Sequence, residues 1–322
     1  MFHCCEAHIK MKTTLRIFLR LGLTLLLIAA ILLCLPKTVY TDTEYELSRN
    51  GIPLHLACMT CPKTREGRNI LLVHGLTYSS HEFDVDYKDY SLSRYFARNG
   101  YAVWRLDVTG YGQSGLPENG FVPDSRYAAG DISAAVDRIL EVKGEETIDL
   151  LGWSWGTVTS SLFAAENPQK LHRLILYAPI LSGLGEAEVT EDYHANSWEN
   201  AASDFQMTAD GVYDLSLTEQ EVIDTYCSNC WRYDGENSPN GGRRDLMTDP
   251  SEQLIDLSTI CVPTLVICGD ADPYLDYDAL SSALEYLPAG SQQKIIKGAS
   301  HAAMMEKPYY KEFRRSVLTF LR

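Results

Sequence analysis

Basic residues are scarce in this chain. Lysine and arginine number 28 against 43 aspartates and glutamates, a formal net charge of −15. Residues 1–36 hold four of the bases (Lys10, Lys12, Arg16, Arg20) and one acid (Glu6), so the remainder is more acidic still. No basic patch large enough for a nucleic acid is visible, and the acidity argues against polyanionic partners and for solubility. Internal repeats and low-complexity tracts are also lacking, which excludes solenoid and repeat architectures. Histidine is sparse, eight in 322 residues, so a general base has few candidates. Apolar residues are not scarce. At 45% they suffice for a sizeable core, and the length fits one large domain with a decoration or two small domains.

Ile17–Leu35 is apolar except for Arg20 and Thr24. As a helix it would be about 28 Å long, close to the roughly 30 Å hydrocarbon core. Bases precede it, and Asp42, Glu44 and Glu46 follow. The positive-inside rule then places the N-terminus in the cytoplasm and the rest across the membrane. No A-x-A cleavage site follows the run, and Leu33 before Cys34 is too large for a good lipoprotein site. The expectation is an uncleaved signal anchor within residues 1–40, with a domain over 41–322 outside the cytoplasm. Secretion after signal cleavage is the alternative, and Met11, followed by Lys12, is an alternative start.

Cys58-Met-Thr-Cys61 and Cys227-Ser-Asn-Cys230 are two C-x-x-C pairs, 165 residues apart and so without zinc-ribbon spacing. If Cys58–Cys61 ends a strand, its Cα atoms are about 10 Å apart and do not bridge each other. Outside the cytoplasm a disulfide within Cys227–Cys230 or between the pairs, a zinc site and free thiols all stay open. Cys261 and Cys268 flank a predicted strand and read as core or strand-end residues.

The chain is organised around TIDLLGWSWGTVTSSLFAAEN, residues 147–167. Ile148 to Leu151 reads as a short buried strand. Val158, Ser161, Leu162 and Ala165 then recur at helical spacing. Between them lies Gly152-Trp153-Ser154-Trp155-Gly156. Strand, G-x-S-x-G and helix in that order describe a nucleophile elbow, with Ser154 on a sharp, strained turn. Glycines at 152 and 156 let strand and helix pack close, and the helix N-terminus offers free N–H groups where an oxyanion would form.

Around this centre a βα rhythm is visible. Arg49-Asn50-Gly51 between Glu44–Leu47 and Ile52–Met59 predicts a hairpin. Strands are predicted at Asn69–Val73, Tyr101–Val108, Leu171–Tyr177, Val262–Cys268 and Gln292–Ile296. Helices are predicted at Ser91–Asn99, around Ile132–Leu140, at Tyr277–Leu287 and at Pro308–Leu321. Gly110-Tyr-Gly112-Gln-Ser-Gly115 matches G-x-G-x-x-G after a strand, but Leu116-Pro117-Glu118-Asn119-Gly120 breaks any helix there. A dinucleotide site is therefore excluded in favour of a tight structural loop with Asp107. Residues from about 179 to 255 lose the rhythm and read as a lid, in which Thr218-Glu-Gln-Glu221 predicts a capping box and a short helix.

A serine hydroxyl needs a base, and the base needs an orienting carboxylate. His301, in Gly298-Ala-Ser-His301 after the last strand, is the candidate base. His74 sits at a strand end, His55 in the hairpin, His81 in a loop, His172 at a strand start and His194 in the lid, while His3 and His8 precede the apolar run. The preceding strand ends in Gly269-Asp270-Ala-Asp272-Pro273, where one aspartate caps the turn and the other reaches His301. Nucleophile, acid and base follow in the chain order of α/β-hydrolases, unlike either common serine-protease order.

From about Asn69 to Leu321 the sequence resembles α/β-hydrolase-fold enzymes. The matching segments are His74-Gly75-Leu76, Asp107 to Ser114, Gly152 to Gly156, Gly269 to Pro273 and Gly298 to Glu306. The resemblance implies a mostly parallel sheet with helices on both faces. It also implies Ser154, Asp272 and His301 as the catalytic residues, and the backbone N–H groups of Leu76 and Trp155 as the oxyanion hole. Serine at 154 disfavours the dehalogenase and epoxide-hydrolase branches, which need aspartate there. No metal or cofactor is required, and nothing points to an obligate protein partner.

The leading expectation is a serine esterase or lipase-like hydrolase acting on a small ester or acyl substrate. Tyr193, Trp198, Phe205, Tyr213, Tyr226, Trp231 and Tyr233 would either line its acyl pocket or form the lid's own core. A proline-iminopeptidase-like aminopeptidase is the second reading, since Trp155 after the nucleophile resembles that branch. Glu186, Glu188, Glu191 and Asp192 would then bind a substrate ammonium. A non-catalytic binding protein that kept the fold is the third.

Overall fold

The computed structural model describes residues 38–64 and 67–322. Ile17–Leu35, Met11, Cys4, Cys5 and Cys34 lie outside the described residues, and with them the signal-anchor expectation. Among the described residues no helix is long and apolar enough to cross a membrane. Tyr40–Arg322 forms one compact unit.

β1 (Thr41–Tyr45) pairs antiparallel with β4 (His55–Thr60), Thr41 opposite Thr60. Between them β2 (Ser48–Arg49) and β3 (Ile52–Pro53) close around Asn50 and Gly51, whose φ values are 51° and 80°. That left-handed pair is what a two-residue hairpin turn requires. β4 pairs antiparallel with β6 (Tyr101–Asp107), and β6 parallel with β5 (Arg68–Val73). The sheet continues in parallel through β7 (Ile148–Trp153), β8 (Leu171–Tyr177), β11 (Thr264–Gly269) and β12 (Gln292–Ile296), giving the order β1-β4-β6-β5-β7-β8-β11-β12. β4 alone runs opposite to the other seven strands of this sheet.

Because side chains alternate across a strand, each central strand feeds two cores. Ile70, Leu72, Val103, Leu151 and Ile175 face one side, with Phe96 of α1 (Leu92–Arg98) and Phe313 and Val317 of α8 (Tyr310–Phe320). Leu71, Val73, Leu150, Leu174 and Val266 face the other. There they meet Ile132, Ala135 and Ile139 of α2 (Ser125–Lys143), Val158 and Phe163 of α3 (Trp155–Glu166), and Leu280 and Ala283 of α7 (Tyr277–Tyr286). Each of these larger side chains contributes about 1.5–3 kcal/mol by burial. α2 is closed at both ends: Asp124 accepts the Tyr127 N–H at 2.7 Å, and Gly144 takes the left-handed conformation.

The Gly110–Gly115 stretch is a loop, and α2 begins only at Ser125. Asp107 organises it. One carboxylate oxygen accepts the N–H (3.0 Å) and hydroxyl (2.5 Å) of Ser80, and the other accepts the Gln113 N–H at 3.0 Å. Gly112 has φ 56°, and a Cβ there would lie 2.3 Å from the Asp107 carboxylate.

Between β8 and β11 the lid contains β9 (Tyr193–Ala195), α4 (Trp198–Ala201), α5 (Gln220–Asp234), β10 (Asn237–Pro239) and α6 (Gly241–Leu246), with β9 and β10 antiparallel. The expected capping box does not form. α5 is 15 residues long, its N-cap is Glu219, and no side chain caps it. The Glu219 carboxylate instead accepts the Tyr90 hydroxyl at 2.9 Å and pairs with Lys88. Thr218 is buried with its hydroxyl unpartnered. Tertiary partners from the loop before α1 have displaced a local motif.

Cys227 and Cys230 lie one turn apart on α5, and they and Cys61 are buried free thiols; Cys58 is buried too. Burial pushes the Cys227 thiol up to about 12, so it is un-ionised and inert at neutral pH. Among the described residues these cysteines gather into no cluster of three metal-ligating groups.

Candidate active site

β7 delivers Ser154 at φ 57° and ψ −123°, a backbone conformation that costs a non-glycine residue about 1–3 kcal/mol. The surroundings over-determine it. The Ser154 N–H donates to the Tyr177 carbonyl at 3.0 Å, and the Ser154 carbonyl accepts the Thr157 N–H at 2.8 Å. A Cβ on Gly152 would lie 2.2 Å from the Gly156 carbonyl oxygen, and one on Gly156 would lie 2.5 Å from that of Val73. Strand and helix thus meet at a distance only glycine permits, and the serine is forced to the C-terminal edge of the sheet.

His301 follows β12, and Asp272 follows β11. The His301 Nδ1 lies 2.8 Å from Asp272 Oδ2, with both side chains about 98% buried. Burial lowers the affinity of the imidazole for a proton, but the charge and hydrogen bond of Asp272 outweigh it, so the pKa of His301 is raised. Asp272 is itself fixed by the Tyr274 N–H on Oδ1 at 3.0 Å. Asp270 does not reach the histidine; its carboxylate accepts the Gly298 N–H and closes the turn. The His301 carbonyl accepts the Tyr177 hydroxyl at 2.8 Å and the Trp153 indole N–H at 3.2 Å. Buried Glu306 holds the same loop through the Ser300 N–H and hydroxyl, at 2.9 and 2.8 Å.

Leu76 lies in the loop after β5, and Trp155 is the first residue of α3. Two buried groups shape the Leu76 loop. His74 is neutral, its pKa lowered by burial; Nε2 accepts the Val108 N–H at 3.1 Å and Nδ1 faces the Gly75 carbonyl at 2.9 Å. Glu82 accepts the Gly75 N–H at 3.0 Å, and burial pushes its carboxyl well above the usual range. The Trp155 ring donates to Ser125 Oγ at 2.8 Å and packs where Gly242 leaves no room for a Cβ.

Ser154, His301 and Leu76 line one cavity of about 130 Å³, together with Thr77, Tyr78, Ile180, Leu184, Leu246, Met247 and Tyr274. None of the seven lid aromatics expected as an acyl pocket lines it. Phe205 and Tyr226 are buried edge-on against each other in the lid's core, while Trp198 and Trp231 are exposed. Glu186, Glu188, Glu191 and Asp192 do not line it either. The charged groups present are Asp204, half-buried, and Arg243, whose guanidinium is held by Asn240 Oδ1 at 3.0 Å and Thr77 Oγ1 at 2.7 Å. A larger cleft of about 510 Å³ lies elsewhere, between residues 181–182, 250–258 and α7.

Sequence reasoning missed Glu82, Asp204, Asp234 and Arg243. Asp234, the last residue of α5, accepts the N–H and hydroxyl of Ser79 (3.0 and 2.9 Å) and the Gly112 N–H (2.8 Å), joining the lid to the Leu76 loop. Local pattern carries no signal for Asp234, whose partners Ser79 and Gly112 lie more than 100 residues away, nor for the tertiary course that brings Asp204 and Arg243 to the cavity.

Comparison with known proteins accords with this geometry. The profile of the family described as serine aminopeptidase, S33, matches residues 65–308. The lipase lipl-5 of Caenorhabditis elegans is 26% identical over 156 residues, 44% of this chain and 38% of that protein. A proline iminopeptidase of Lactobacillus delbrueckii subsp. lactis is 26% identical over 171 residues, 46% of this chain and 55% of that protein. The match therefore spans between about two fifths and a little over half of these curated relatives. Among solved structures, an esterase from Thermogutta terrifontis superposes with a TM-score of 0.61 at 19% identity, covering 88% of this chain and 98% of that one, a likeness of fold. The chain belongs to the serine aminopeptidase S33 family of α/β-hydrolase-fold hydrolases.

Proposed function

We propose that the protein is a serine hydrolase that cleaves a carboxylic ester or related acyl bond through an acyl-enzyme. The observation that carries this reading is the 2.8 Å contact between Asp272 and His301 beside the cavity that Ser154 enters from a strained strand–helix turn. His301 takes the Ser154 proton as the hydroxyl attacks the acyl carbonyl. The N–H groups of Leu76 and Trp155 stabilise the tetrahedral oxyanion. His301 then protonates the leaving group, and water releases the acyl group by the reverse sequence.

A second reading, release of an N-terminal residue from a short peptide, is supported by the family's description and by the Asp204 carboxyl in the cavity, which suits an ammonium group. Nitrophenyl esters of graded chain length, run beside aminoacyl-naphthylamides, separate the two. Ester turnover supports the first and amide turnover the second. Silence on both, with no fluorophosphonate labelling of Ser154, would leave a non-catalytic binding protein. In the active case Ser154→Ala abolishes labelling and lowers kcat by roughly 10⁴-fold or more.

Ile17–Leu35 is proposed to anchor the chain with the hydrolase domain outside the cytoplasm, on the strength of its length and flanking charges. External protease on intact cells should digest the domain, and carbonate washing should leave it with the membrane. A protected domain overturns the orientation, and a released domain lacking residues 1–36 overturns the anchor.

A further inference from the structure

Among the described residues, one cluster of metal-ligating side chains lies outside the proposed chemistry. His55 at the start of β4, His81 in the short turn Ser80–Phe83 and Asp107 at the end of β6 each present one ligand atom, and these atoms lie within 4.8 Å of one another. His55 Nδ1 is 2.9 Å from Asp107 Oδ2. Its side chain is 91% buried. With the imidazole protonated this contact is an ion pair; with it neutral, the same two atoms can turn toward one shared cation. Tetrahedral zinc with bonds of about 2.05 Å sets adjacent ligands about 3.3 Å apart, so this pair opens by a few tenths of an ångström on binding.

The surroundings fit a metal site. Asp107 is fixed on its far side by both groups of Ser80. His81 is oriented by Gln113, whose amide oxygen is 3.1 Å from Nε2, and by Tyr233, stacked on its ring at 3.3 Å between centroids. Such outer contacts orient ligands before a metal arrives. Glu44, exposed, brings a carboxylate oxygen to 3.8 Å from His55 Nε2 at the solvent side. Two imidazoles and one carboxylate select borderline transition metals over calcium or magnesium, which take oxygen ligands. His81 completes the set by turning its ring toward the other two ligands through its side-chain torsions.

We propose that His55, His81 and Asp107 form a binding site for one divalent transition-metal cation of the zinc class. The ligands come from β4, from the segment following the Leu76 loop and from β6, so occupancy would fasten that segment to the sheet. The site is independent of the proposed hydrolysis and takes no part in its chemistry.

The test uses the full-length, tag-free chain, stripped with chelator. Equilibrium dialysis against micromolar Zn²⁺ with elemental analysis gives the stoichiometry, and Co²⁺ absorption reports the ligand type. Cys4, Cys5 and the C-x-x-C pairs would bind through thiolate and show a thiolate-to-cobalt charge-transfer band, and binding by His3 and His8 would persist in His81→Ala. The expected result is one equivalent of metal without that band, lost or weakened at least tenfold in both His81→Ala and His55→Ala. Zn²⁺ should also raise the Tm of the wild type more than that of His81→Ala. If His55→Ala fails to fold, the half-exposed His81 carries the test alone. Absence of a stoichiometric equivalent at micromolar Zn²⁺, or binding unchanged in His81→Ala, overturns the proposal.

Discussion

Asp272→Asn is expected to abolish the base while leaving the fold intact, and the structure says why. Asp272 uses both oxygens: Oδ1 accepts the Tyr274 N–H at 3.0 Å, and Oδ2 accepts from His301 Nδ1 at 2.8 Å. An amide has one accepting and one donating end. The Tyr274 N–H is an obligatory donor and claims the new oxygen, so the NH₂ faces Nδ1. Nδ1 must then carry a lone pair, which drives the proton to Nε2, the nitrogen that has to be bare to take a proton from serine. Wrong tautomers of this kind lower turnover by roughly 10⁴-fold, or about 5 kcal/mol of transition-state stabilisation. The assay is kcat/KM on the best nitrophenyl ester, with the rate of fluorophosphonate labelling as a second readout and Tm as the control for folding. Asp270→Asn, which touches the Gly298 turn and not the histidine, should cost less than about tenfold. Turnover of Asp272→Asn within tenfold of wild type, or an equal loss in Asp270→Asn, would refute the reasoning.

Because the pKa of His301 is raised, the acidic limb of the kcat/KM profile should lie above the ordinary histidine value of about 6.5, with activity falling as pH drops through it; Asp204→Asn should move that limb down, since the Asp204 charge helps raise it. The same shift sets a stability term that is complete below pH of about 6.5 and is lost as pH rises through the raised value, visible as a decline in chemical-denaturation free energy that Asp272→Asn flattens. Asp234→Ala strips acceptors from the Ser79 and Gly112 N–H groups, and should cost about 2–4 kcal/mol and speed limited proteolysis within residues 179–255. Gly156→Ala would drive a Cβ to 2.5 Å from one backbone carbonyl oxygen and 2.6 Å from the next, and is expected to lower Tm by roughly 10 °C or to prevent soluble expression.

What the sequence discloses here is what short-range physics decides. The strand–serine–helix turn is legible because glycine at 152 and 156 answers a backbone contact a few residues away. The parallel strands are legible because burial on both faces makes them continuous apolar runs. The choice between Asp270 and Asp272 rests on family likeness alone, since both sit in one turn and only the course of the loop separates them. The lid is where local reading fails. Thr218 and Glu221 match a capping box, yet Tyr90 and Lys88, distant in sequence, take the neighbouring Glu219. The lid aromatics serve packing or solvent, and Asp204 and Arg243 reach the cavity through folds that no periodicity encodes.

The carbonyl of His301 is gripped by side chains of two central strands, Tyr177 of β8 and Trp153 of β7, and the Tyr177 hydroxyl also takes the Met304 N–H at 3.1 Å. The proposed base is therefore bolted to the middle of the sheet and not merely perched on a loop above it. Loss of competence and loss of tertiary structure should then trace one melting curve, with no temperature interval in which a folded but inert form accumulates. Covalent labelling in a crude extract would count intact molecules, and Tyr177→Phe, silent in any inspection of the cavity, should pull the two curves apart.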